Sequence, residues 1–217
     1  MTAADTRALR LAVVATAREM NALGINRGKS GNVSARTREG FLVTPSALPY
    51  DRTEPGDVVF VTSDGAPHGR RRPSSEWRFH RDIYATRADV SAIVHTHSPF
   101  ATTLACLDRS IPAFHYMVAV AGGSDVRCAP YATFGSDALA QHAVAALDAR
   151  LACLLSHHGM IALGRDVPAA LALAVDVEAL AEIYCEALQL GEPALLDAEE
   201  MARVAERFRG YGPRRAQ

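Results

Sequence analysis

The stretch Leu151-Ala152-Cys153-Leu154-Leu155-Ser156, His157-His158-Gly159, Met160-Ile161-Ala162-Leu163 decides the architecture. Two short apolar runs flank a break too brief for a helical crossover, so they read as a strand pair joined by a turn. The same pattern recurs upstream. Val33–Arg36 and Gly40–Thr44 read as a hairpin, and Asp57–Thr62 as a strand ending in the turn Ser63-Asp64-Gly65. Ala92–His95 reads as a buried strand, residues 66–73 as a surface loop, and residues 112–134 as short strands around a Gly122-Gly123 turn. Helical spacing covers residues 5–23, with Leu9, Val13, Met20 and Leu23 near one face, Asp5 as N-cap and Gly24 as stop. Further helices are expected from Ser74 or Ser75 to about Arg87, from Pro99 through Leu107, over Ser136–Leu147, from Val167 to about Leu190, and over Asp197–Phe208. Helices and strands interleave while short turns join several strands. The expectation is one α/β domain over residues 1–217, with a mixed, largely antiparallel sheet covered by helices.

A chain of 217 residues buries enough apolar surface to fold without a disulfide or structural metal, so a metal here would serve function. Lys and Arg number 23 against 24 Asp and Glu, which argues against a nucleic-acid or anionic-membrane surface as the main partner. The clusters Arg70-Arg71-Arg72 and Arg214-Arg215 read as a solvated loop and tail. Cys106, Cys128, Cys153 and Cys185 form no C-x-x-C pair and sit in apolar contexts, as expected of reduced, mostly buried thiols in a cytoplasmic protein. Leu11–Ala17 is too short and too soon followed by Glu19 for a signal peptide, and the charge-free run Val90–Leu107 carries His95, His97 and Pro99, which rules it out as a membrane span.

The chemistry-bearing residues begin with Val94-His95-Thr96-His97. Residues two apart on a strand face the same side, so both imidazoles can aim at one point, an arrangement that suits a divalent transition metal. Two separately satisfied histidines are the competing reading. Ser156-His157-His158-Gly159 could add a third ligand, and neighbours on a strand point oppositely, so at most one of the pair should ligate. Three histidines leave a position open for substrate or water. In Pro73-Ser74-Ser75-Glu76-Trp77, Glu76 falls in the first helical turn, where a carboxylate is favoured whether or not it has a chemical task. The Ser74 and Ser75 hydroxyls sit beside free backbone N–H groups, which suits an anion. The loop Gly24–Asn32 contains Gly28-Lys29-Ser30, but Gly24 is one residue too close for a P-loop and a helix precedes the loop. A backbone cradle for a small phosphate remains. His68 and His142 read as solvated or structural, His80 lies one turn after Glu76, and Tyr116 precedes an apolar run that suits core packing.

These elements, in this order, resemble the class II aldolase/adducin family across nearly the whole chain. The likeness is carried by Gly31-Asn32-Val33-Ser34, Thr44-Pro45-Ser46, the run from Pro73 to His80, Val94-His95-Thr96-His97, the run from Ser110 to Met117, Ala121-Gly122-Gly123, the run from Cys128 to Gly135, and His157-His158-Gly159. The resemblance implies a three-layer α/β/α fold. It implies zinc, with cobalt or manganese as substitutes, on His95, His97 and His158, and Glu76 as acid/base that can also ligate. Tyr116 is implied to reach a neighbouring subunit's site within a four-fold homotetramer. A phosphate pocket maps onto Lys29, Ser30, Gly31, Asn32, Ser46, Ala47, Ser74 and Ser75, and Phe134 and Tyr211 match substrate-pocket aromatics. The implied reaction is reversible cleavage of a ketose 1-phosphate, L-fuculose 1-phosphate or a close analogue, to dihydroxyacetone phosphate and an aldehyde. With a Lewis-acid metal no Schiff-base lysine is needed, and Lys29 is the single lysine of the chain. Lys29-Ser30 and Ser46-Ala47 depart from the Thr-Ala and Thr-Gly of the fuculose-type pattern, which leaves the sugar open. The alternatives are a 5-deoxy- or 5-methylthio-ribulose 1-phosphate aldolase and a sugar-acid phosphate decarboxylase. An epimerase is disfavoured because its pattern has Asp at Glu76, and an adducin-like scaffold is disfavoured because that scaffold lacks the ligand set.

Overall fold

In the computed structural model, which describes residues 3–209, helix α1 (Ala3–Ala22) leads into the hairpin β1 (Asn32–Arg36) and β2 (Gly40–Val43). Two short 3-10 turns, Tyr50–Arg52 and Pro55–Asp57, precede β3 (Val59–Thr62) and the two-residue β4 (Pro67–His68). Next come α2 (Trp77–Thr86), β5 (Ala92–Thr96) and α3 (Pro99–Ala105). A 3-10 helix over Tyr116–Ala121 leads to β6 (Arg127–Ala129) and α4 (Asp137–Ala146). The chain closes with β7 (Ala152–Leu155), β8 (Gly159–Gly164), the long α5 (Val167–Leu190) and α6 (Ala198–Arg209).

The eight strands form one sheet in the order β4-β3-β2-β1-β5-β8-β7-β6. All neighbours are antiparallel except β6 and β7, which run parallel and are joined through α4, the crossover such a pair requires. Alternation along β5 sorts its side chains. Ala92 and Val94 join the core shared with α1, α3 and α5, and Ile93 joins the core shared with α2 and α4. Helices thus cover both faces of the mixed sheet, and the expected three-layer α/β/α architecture is observed. β5 is buried along its whole length and sits mid-sheet, so a functional group on it has a rigid support.

Four expectations need correction. Pro67-His68 pairs with Val61 and Phe60 as an exposed edge strand, a position a proline tolerates because its missing N–H faces no partner. Residues 112–134 hold one three-residue strand, and a 3-10 helix stands where another strand was expected. The His115 side chain accepts from the Met117 N–H at its start, and Gly122, at φ +88°, ends it. Asp5 falls inside α1, which begins at Ala3. The four cysteines are free, but Cys153 alone is buried. Cys106, the residue that ends α3, is exposed, and Cys128 and Cys185 are half-buried. No helix among the described residues is long and apolar enough to cross a membrane.

Candidate active site

Strand register assembles the site. Asn32 on β1 stands opposite His95 on β5, and His95 stands opposite Ile161 on β8. His95 is fully buried on the face covered by α2, where Phe79 meets its ring edge-on at 5.4 Å between centroids. His97 follows one residue beyond the strand. His158 arrives from the β7–β8 turn, in which His157 adopts the left-handed conformation at φ +52°. The pair therefore occupies a turn, not a strand, and the turn selects His158 for the cluster while His157 stays exposed at the rim. Gly159 then starts β8 so close to β5 that a Cβ there would lie 2.3 Å from the Thr96 carbonyl oxygen.

Glu76 occupies the residue before α2, and its own side chain makes no cap hydrogen bond. Its backbone N–H donates to Ser74 Oγ at 3.3 Å, and its carboxylate turns inward, 6% exposed. The ordinary reading of a helix-start acid therefore fails. Asn32 Nδ2 donates to Glu76 Oε2 at 2.9 Å, and His95 Nε2 lies 3.2 Å from the same oxygen. Glu76 Oε1 lies 3.0 Å from His158 Nε2 but out of hydrogen-bond alignment, a buried acceptor with no donor.

The ligand atoms of Glu76, His95, His97 and His158 all lie within 4.8 Å of one another. His95 Nδ1 sits 2.8 Å from the Met160 carbonyl oxygen, which can only accept, so Nδ1 carries a proton and Nε2 is the nitrogen turned inward. That nitrogen is 3.0 Å from His97 Nε2. Burial, then repulsion from His95 and His158, pushes the His97 imidazole down to about 3, so it is neutral near pH 7, as a ligand must be. Burial alone would raise the Glu76 carboxyl, but the neighbouring His95 and His158 outweigh it and hold the group well below the usual carboxylate range. A tetrahedral zinc with nitrogen contacts of about 2.0–2.1 Å separates its ligands by about 3.4 Å, within the span observed. Converging lone pairs and an orphaned carboxylate oxygen fit a divalent cation, and the group could hold one.

Above the cluster opens a cavity of about 450 Å³. Lys29, Ser30, Gly31, Asn32, Ser46, Ala47, Ser74 and Ser75 all line it, together with Glu76, His97, His158, Tyr131, Phe134 and His157. Ser46 N donates to the Arg72 carbonyl and Ser74 N to the Thr44 carbonyl, each at 3.0 Å, which clamps the two serine-bearing segments side by side. The buried Tyr50 hydroxyl donates to the Gly31 carbonyl at 2.7 Å and tightens the glycine loop. Gly31 itself, at φ +68°, has no room for a side chain, because a Cβ would lie 2.5 Å from the His95 carbonyl oxygen.

Within one chain, Tyr116 does not reach this cavity. It is half exposed in a separate hollow with His115, Arg203 and Arg207, stacked on Phe208 at 6.4 Å between centroids. Tyr211 and the Arg214-Arg215 pair lie outside the described residues. The sequence reading passed over Tyr131 and Tyr50. Tyr131 lay inside a motif already singled out, and nothing local marked Tyr50 as support for the loop.

Residues 11–185 match the Class II Aldolase and Adducin N-terminal domain. A 5-methylthioribulose-1-phosphate/5-deoxyribulose-1-phosphate aldolase of Rhodospirillum rubrum is 57% identical over 205 residues, 94% of this chain and 93% of that protein. The L-fuculose phosphate aldolase of Escherichia coli strain K12 is 45% identical over 203 residues, 93% of this chain and 94% of its own. A solved L-fuculose 1-phosphate aldolase superposes with a TM-score of 0.91 at 38% identity, covering 96% of this chain and 98% of that one. With the three-layer fold and the convergent histidine–carboxylate cluster already in place, the chain belongs to the class II aldolase and adducin family, as one of its metal-dependent aldolases.

Proposed function

We propose that this aldolase reversibly cleaves a 5-substituted ribulose 1-phosphate, with a 5-methylthio or 5-deoxy terminus, to dihydroxyacetone phosphate and an aldehyde. The observation that carries the reading is the cluster of Glu76, His95, His97 and His158 beneath a cavity whose lining is partly small and polar, partly aromatic. The fuculose reading, placed first on motifs, moves to second. The relative named for the ribulose phosphates shares 57% of residues against 45%, and Lys29-Ser30 and Ser46-Ala47 already departed from the fuculose-type pattern.

His95, His97 and His158 hold the metal, with Glu76 as a fourth ligand in the free enzyme. A divalent ion there, zinc in this reading, supplies Lewis-acid stabilisation of the negative charge that develops on substrate oxygens. Lys29, Ser30, Gly31, Asn32, Ser46, Ala47, Ser74 and Ser75 bind the phosphate, Lys29 through its charge and the serines through hydroxyl donors. Tyr131 and Phe134 face the apolar aldehyde end. In cleavage the proton leaves the hydroxyl on C4, the C3–C4 bond breaks, and its electron pair stays with C3. In synthesis the Glu76 carboxylate takes the proton from C3, and the electron pair left there forms the C3–C4 bond. Tyr116, supplied by a neighbouring subunit of a homotetramer, gives its hydroxyl proton to the aldehyde oxygen. Cleavage is the reverse, and proton exchange with solvent returns the two groups to carboxylate and phenol. The inward-turned Glu76 carboxylate, positioned by Asn32, suits the transfer at C3, which is worth about 10²–10⁴-fold. Reduced thiols suit a cytoplasmic setting.

The test is aldol synthesis from dihydroxyacetone phosphate with methylthioacetaldehyde, acetaldehyde and lactaldehyde, with and without a chelator. The expected result is chelator-sensitive turnover that favours the first two. Preference for lactaldehyde restores the fuculose reading, and turnover indifferent to complete metal removal ends the metal assignment.

A further inference from the structure

Behind Glu76 and Asn32 the interior continues in a file of polar side chains, His80, Ser34 and Tyr84, that the reaction above leaves unused. Asn32 Oδ1 lies 2.5 Å from His80 Nε2, His80 Nδ1 lies 2.7 Å from Ser34 Oγ, and Ser34 Oγ lies 2.8 Å from the Tyr84 hydroxyl. His80 and Ser34 are wholly inaccessible to solvent, and Asn32 is 1% exposed. The file runs from α2 to β1, back to α2 and again to β1. It needs two alternating residues of β1 on one face and two residues one turn apart on α2.

The proton positions follow from the terminus. An ionised carboxylate only accepts, so the Asn32 amide must present its NH₂ to Glu76 and its carbonyl to His80. That carbonyl also only accepts, so His80 carries its proton on Nε2, and Nδ1 must accept from Ser34. Ser34 has then spent its proton and accepts from Tyr84. Every donor points toward Glu76. Burial, then the nearby His95, pushes the His80 imidazole down to about 3, which agrees with a neutral ring bearing one proton. Phe79 and Phe41 stack on that ring at 4.5 and 6.2 Å between centroids and fix its plane.

We infer that His80 is a positioning residue: with Ser34 and Tyr84 behind it, it locks the Asn32 amide in the one orientation that aims Glu76 at the substrate carbon. A reversed amide would place its carbonyl against the carboxylate and swing the latter away. The inference rests on the proton-transfer role proposed for Glu76. Loss of such a supporting partner costs about 10- to 100-fold in activity.

Long-range ¹H–¹⁵N NMR of the metal-free, histidine-labelled protein reads the tautomer. Nε2–H is expected at His80, and an Nδ1–H or doubly protonated ring overturns the inference. In the zinc-loaded enzyme, exchange of the hydroxymethyl proton of dihydroxyacetone phosphate with D₂O, without aldehyde, isolates the proton step. His80→Phe keeps the ring's bulk but neither nitrogen. It should keep zinc stoichiometry and KM within about twofold while exchange and kcat fall about 10- to 100-fold. His80→Gln can donate to Asn32 and accept from Ser34, and should recover to within about threefold of wild type. No loss in the Phe variant, or equal losses in both, overturns the inference. Should His80→Phe fail to fold, Ser34→Ala removes only the hydroxyl that feeds Nδ1 and should slow exchange by at least about threefold. An unchanged rate there also overturns it. Wild-type enzyme that exchanges no such proton removes the reading of Glu76 instead, whatever tautomer His80 shows.

Discussion

Glu76→Gln replaces one buried carboxylate oxygen with an amide nitrogen of nearly the same size. Glu76 makes few bonds, so the structural cost can be worked out. Asn32 Nδ2 donates to Oε2 at 2.9 Å, and the Gln carbonyl can accept that bond unchanged. The new nitrogen takes the place of Oε1, which has no aligned donor to lose, and meets His158 Nε2 at 3.0 Å. No buried partner is orphaned, but the charge that His95 and His158 favour is lost, so the metal-free protein should lose about 1–3 kcal/mol, or about 3–10 °C in melting temperature at this size. His95, His97 and His158 remain, and zinc should bind stoichiometrically. What disappears is the group proposed to move the proton at carbon. Turnover and dihydroxyacetone phosphate exchange should fall about 10²–10⁴-fold, which is about 3–5 kcal/mol of transition-state stabilisation. Steady-state aldol kinetics, solvent exchange and metal analysis on one preparation separate these effects. Near-normal turnover with zinc bound would refute the proton-transfer role. Loss of zinc would show that the carboxylate is first of all a ligand.

Gly31→Ala adds a Cβ 2.5 Å from the His95 carbonyl oxygen at a left-handed backbone position, and should cost about 2–4 kcal/mol and weaken zinc binding, as chelator competition will show. Wild-type metal affinity in that variant would mean that the loop and the metal strand are not coupled. Ala47 is also left-handed, at φ +61°, on the exposed cavity rim, so Ala47→Gly should stabilise by up to about 1 kcal/mol; a clear fall in melting temperature would contradict the strain argument. Burial alone would raise the Asp57 carboxyl, but the Arg71 hydrogen bond, the Glu54 backbone N–H and Arg70 outweigh it and hold the group at about 2. Because the folded value is depressed, this stabilisation is complete above the unfolded value near 4 and lost as pH falls through 2. Asp57→Asn should therefore cost about 1–2 kcal/mol at pH 7, after discounting for the half-exposed arginines, and no more than about 0.4 kcal/mol at pH 2 in urea unfolding.

How much of this was legible in the sequence depended on distance along the chain. The antiparallel strand pair at 151–163 and the alternation that aims His95 and His97 together follow from local period, and both are observed. The choice between His157 and His158 was not legible from strand geometry, because the pair sits in a turn whose left-handed residue sets the directions. Glu76 looked like an ordinary helix-start acid. Contacts distant in sequence, Asn32 44 residues away together with His95 and His158, show its carboxylate turned into the interior. Residues 112–134 were misjudged because short apolar runs fit a 3-10 helix as well as a strand, and a side-chain cap at His115 decided between them. Tyr116 defeats single-chain reasoning altogether, since its proposed partner is another subunit.

Coupling between the glycine loop and the strand of His95 is expected because β1 adjoins both. Its first residue, Asn32, adjoins the cavity and commits one end of its amide to Glu76 and the other to His80, while the preceding Gly31 is pressed against the His95 backbone. On the proposed reading, a phosphate drawn to Lys29 and the serines would act on the segment that positions the Glu76 carboxylate and adjoins His95. Binding energy from a remote, unreactive group is then available to order the reacting centre, the use of binding that raises kcat more than affinity. On this argument a substrate lacking the phosphate loses turnover as well as binding. Inorganic phosphate added to the free aldehyde and dihydroxyacetone should restore part of it. A truncated substrate that lost only KM would show that β1 transmits nothing.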